Sequence, residues 1–120
     1  MFMILFVLHD PEKLDDILTA WEEAGVSGVT ILPSTGLARH KKDSALRDDL
    51  PLIPSMDEIT EHMMNLNRTL FTLVNDQVMV DKLVAATESV TGNLNLPNTG
   101  ILAVLPVTQC YGLNRIDPEG

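Results

Sequence analysis

The seven residues from Phe2 to Leu8 carry no polar side chain, a run long enough for a strand and short for a helix. His9-Asp10-Pro11 stops it. Asp10 suits an N-cap and Pro11 the first helical position, where no N–H is needed. Leu14, Ile17, Leu18 and Trp21 then recur at helical spacing, with Asp15, Asp16, Glu22 and Glu23 on the wet face and Gly25 as the C′ residue. Gly28 to Leu32 reads as a second strand with Pro33 near its end, and Thr69 to Val74 as a third. Asn75 or Asp76 caps a second long helix that turns Val80, Leu83, Val84, Thr87 and Val90 inward. Thr91 to Thr99 is a turn-rich loop, and Gly100 to Val107 is the last strand.

Between the second and third strands, from about Thr35 to Asn67, the strand pattern is absent. A connection this long is uncommon inside a compact domain and is usually functional. Its second half carries Ser55-Met56-Asp57-Glu58, a capping-box signature, followed by Ile59, Met63 and Leu66 at helical spacing. A short helix from Ser55 to Leu66 is expected there. The order β-α-β-(long loop)-β-α-β predicts an α+β fold of ferredoxin-like βαββαβ type. One domain covers residues 1–120.

Two helices cover only one face of a four-stranded sheet, and a face that meets water alternates to polar. These strands do not alternate. In the first, Phe2, Ile4, Phe6 and Leu8 oppose Met3, Leu5 and Val7; in the last, Ile101, Ala103 and Leu105 oppose Leu102 and Val104. At about 25 cal/mol per Å², leaving such a second face wet forfeits many kcal/mol. Either the long loop folds over it or copies of the chain associate through it. Self-association is the stronger expectation.

Charge narrows the partners. The chain has 8 basic and 17 acidic residues, a formal net of −9, which argues against nonspecific binding to nucleic acid or an anionic membrane. The apolar run at the start is too short to span a bilayer, so no membrane insertion is expected. A single cysteine, Cys110, makes neither an internal disulfide nor a Cys-based zinc site and fits a reducing compartment.

Arg39-His40-Lys41-Lys42 is the one dense basic cluster, and half of the basic residues fall in the long loop. Following Gly36 at the end of a strand, the cluster either grips a phosphate or carboxylate by charge-assisted hydrogen bonds or balances Asp43, Asp48 and Asp49 in water. Thr91-Gly92-Asn93 to Gly100 either offers backbone N–H groups to an anion or simply links helix to strand. His9, His40 and His62 have no mutual metal-ligand spacing, and Met63 and Met64 beside His62 read as helix packing. No metal site and no catalytic set emerge, so enzyme activity is not expected.

Gly25-Val26-Ser27-Gly28-Val29-Thr30, followed by Thr35-Gly36-Leu37-Ala38-Arg39-His40-Lys41, resembles the second strand and the approach to the T-loop of the PII signalling family. Asp76-Gln77-Val78 and Thr91-Gly92 resemble the start and end of that family's second helix. The resemblance spans nearly the whole chain outside the long loop. It implies a cytoplasmic homotrimer without catalytic activity, its three sheets packed inward. It also implies an effector, typically an adenine nucleotide (AMP, ADP or ATP), in clefts between subunits, and a long loop, 35–67, that engages a target protein.

The ligand-binding residues implied by this resemblance are Gly28, Thr30, Gly36, Ala38, Arg39, His40, Lys41, Thr91, Gly92 and Gly100. The departures concern phosphate. His40 stands where the family has Gln, Thr99-Gly100 where it has Gly-Lys, and Gly112 and Asn114 near its paired arginines, with only Arg115 close by. The only tyrosine, Tyr111, lies outside the loop that carries the family's modification site. Two other classes share the architecture: a trimeric metal-associated protein of the CutA sort, and a small ferredoxin-like enzyme with the loop as a lid.

Overall fold

The computed structural model describes residues 1–37 and 66–113. The chain runs through β1 (Phe2–Leu8), one 3-10 turn (Pro11–Lys13), α1 (Leu14–Ala24), β2 (Thr30–Ser34), β3 (Asn67–Val74), α2 (Gln77–Thr91) and β4 (Gly100–Pro106). The strands form one sheet in the order β2-β3-β1-β4 with every neighbouring pair antiparallel. That is the ferredoxin-like arrangement expected from the element order.

Both helices pack on the same side of the sheet. Ile4, Phe6 and Leu8 of β1 and Leu70 of β3 lose all solvent exposure there, against Ile17 and Trp21 of α1 and Val80 and Leu83 of α2. The rings of Phe6 and Trp21 meet at a centroid distance of 6.3 Å, tilted by 42°. The indole Nε1–H donates to Thr87 Oγ1 at 2.9 Å, and that hydroxyl donates on to the Leu83 carbonyl at 2.7 Å. The one bulky polar atom in the core is therefore satisfied without water, as burial demands.

Local chemistry sets the helix ends. Asp10 accepts the Glu12 N–H through Oδ1 at 3.1 Å, but it caps the 3-10 turn rather than α1 itself, which begins at Leu14. Gly25 ends α1 in a left-handed conformation, φ +111°, where a side chain would be strained. Of the two candidate caps for α2, Asp76 serves, its Oδ1 accepting the Met79 N–H at 3.0 Å.

Strand 2 differs most from its sequence reading. It begins at Thr30, leaving Gly28 and Val29 outside, and runs through Pro33 to Ser34. Proline ends a central strand because it lacks an N–H; β2 is an edge, where the missing donor costs the ladder nothing. β3 begins two residues earlier than expected, at Asn67, and β4 ends at Pro106. Of the long connection, Thr35, Gly36, Leu37 and Leu66 fall within the described residues, and the expected Ser55–Leu66 helix otherwise falls outside them. No helix of the described residues is long and apolar enough to cross a membrane.

Candidate functional site

The sheet face away from the helices is built from four rows of side chains. Register places Met3, Leu5 and Val7 of β1 beside Leu73, Phe71 and Thr69 of β3 and beside Leu105, Ala103 and Ile101 of β4. Thr30, Leu32 and Ser34 of β2 complete it. None of these twelve residues is charged, and nine are apolar. Leu32, Ala103, Ile101 and Leu105 are exposed, and no described element lies over this face. The two apolar faces read from the sequence are therefore present, and the second is open among the described residues. The helix layer contrasts with it: Asp15, Asp16, Glu22 and Glu23 stand in water along α1.

The expected ligand residues divide between two places. Gly36 follows the end of β2, while Thr91, Gly92 and Gly100 bracket the loop from α2 to β4. Both places lie at one end of the sheet, because Ser34 pairs with Asn67, and Gly100 pairs with Leu8 one step from it. They lie on opposite edges, however. Three inter-strand spacings, about 14 Å, separate β2 from β4. One chain does not bring them together.

Gly28 and Thr30 sit elsewhere again. The Gly28 carbonyl accepts the Thr72 hydroxyl at 2.5 Å, and Thr30 stands opposite Phe71 on the open face, well back from the sheet end. Ala38, Arg39, His40 and Lys41 lie outside the described residues.

The loop from Gly92 to Thr99 is tied to itself. The Gly92 N–H donates to Glu88 O, Leu94 N–H to Glu88 Oε2, and Asn95 N–H to Asn93 Oδ1. Leu96 N–H takes Asn93 O, and Thr99 Oγ1 donates to the carbonyls of Leu94 and Leu96. Thr91 is buried, its hydroxyl directed at Thr87 O and Gly92 O. Four of the backbone donors that an anion would need are thus already engaged, which favours the reading of this loop as a connection.

Gly100 has a packing reason to be glycine. Its φ is +145°, and a Cβ there would lie 2.6 Å from the Val7 carbonyl oxygen and 2.7 Å from Phe6 Cε1. Gly36 and Gly92 face open space, and only Gly92, at φ +82°, needs its backbone freedom.

Sequence reasoning passed over the residues that do share the sheet end with Gly36. Arg68, the second residue of β3, lies opposite Leu8 and Pro33, its guanidinium donating to the carbonyls of Leu66 at 2.5 Å and Asn67 at 3.3 Å. Thr69 Oγ1 donates to Ser34 Oγ at 2.8 Å beside it. The available signal was a basic residue at the start of an otherwise uncharged strand in an acidic protein. Among the described residues no group of three His, Cys, Asp or Glu side chains is placed to hold a metal ion, and no buried side-chain nitrogen or oxygen lacks a partner.

No protein-family model matches this chain, and no curated protein matches it significantly.

Proposed function

We propose that the protein is a non-catalytic, PII-like regulatory module of the cytoplasm that acts as a homotrimer. It binds a small effector, an adenine nucleotide, between subunits and signals through the 35–67 loop to a target protein. The observation that carries the reading is the open sheet face, twelve residues without a charge in a chain of net charge −9. Such a face gains from burial against its own kind, and the acidic helix layer repels a copy docked there, so association is directed to the sheet.

The division of the glycine-bearing ends between opposite edges supports a site shared by two copies. The sequence resemblance supplies the nucleotide, and the departures from it supply the preference among nucleotides. Losing two or three charge-assisted contacts at about 1.5–3 kcal/mol each weakens a triphosphate several hundredfold or more relative to a complete site. A mono- or diphosphate has less charge to neutralise and loses less.

Light scattering on the purified protein, with a thermal-shift panel of AMP, ADP, ATP and small carboxylates, tests this. The expected result is a particle of three chains stabilised more by AMP or ADP than by ATP. A monomer at micromolar concentration removes the basis of the assembly. A trimer indifferent to every adenine nucleotide leaves the assembly but removes the effector.

A further inference from the structure

We draw no further inference here: the strongest candidate, the apolar sheet face away from the helices with its exposed edge residues Leu32 on β2 and Ile101 on β4, belongs to the self-association already proposed, and nothing in the structure shows what covers it.

Discussion

The two faces of the sheet are made from the same kind of residue, yet they have opposite fates within one chain. On β1, Ile4, Phe6 and Leu8 are fully buried beneath the helices, while Met3, Leu5 and Val7, their alternates, are only partly covered by neighbours in the sheet. The difference is not in the strands. It lies in the helices of the described residues, both of which pack on one side. The helix face is a finished core whose polar atoms find partners inside it, Trp21 on Thr87 and Thr87 on Leu83. The open face has no polar pattern to satisfy and no charge to keep it apart from another copy. One face stabilises the chain; the other recommends a partner.

Substitutions on the two faces should therefore behave differently. The largest effect is expected from Phe6→Ala, which empties the centre of the helix-side core and removes the ring against Trp21. It should destabilise by about 3–5 kcal/mol in urea titrations followed by Trp21 fluorescence, and the loss should persist at any protein concentration. Leu5→Asp, one position earlier and on the open face, should leave the folded subunit intact. Its effect should appear as dissociation, with the association constant lowered at least about 100-fold, or about 2.7 kcal/mol, by sedimentation. Equal loss of fold in both variants would erase the distinction drawn between the faces.

Gly100→Ala sharpens the comparison at the edge where both faces end. The substitution places a methyl against the Val7 carbonyl and the Phe6 ring at a φ that disfavours any side chain. A stability loss of about 2 kcal/mol or more is expected. A variant of unchanged stability but altered nucleotide response would make Gly100 a ligand residue after all. Thr87→Val strands the Trp21 Nε1–H inside the core and should cost about 1–3 kcal/mol. The smallest effect, about 1 kcal/mol, is expected of Asp76→Ala, which removes the cap of α2 without touching either face.

The local order of the chain was written in its hydrophobic pattern. The element sequence, the Asp76 cap, the Gly25 stop, the inward stripe of α2 and the two apolar faces of β1 and β4 all follow from periodicity and residue chemistry, because they are settled within a few residues. Boundaries were less legible where tertiary position overrides a local rule. Pro33 stands near the end of β2 as expected, but the strand starts two residues later than Gly28 and runs one past the proline, which only the assembled sheet permits by making β2 an edge. The candidate site was legible as residues and not as a place. Gly36 and Gly100 stand out in the sequence, but nothing local places them on opposite edges about 14 Å apart. That distance comes from the crossing connections that insert β3 and β1 between β2 and β4. Gly100 was expected among the ligand-binding residues, and folding adds a packing reason for glycine there, the close approach of Phe6 and the Val7 carbonyl, a contact between strands that no local rule reveals. The sequence determined that both faces of the sheet would be apolar; the tertiary structure decided which one the two helices of the described residues would cover and which they would leave open.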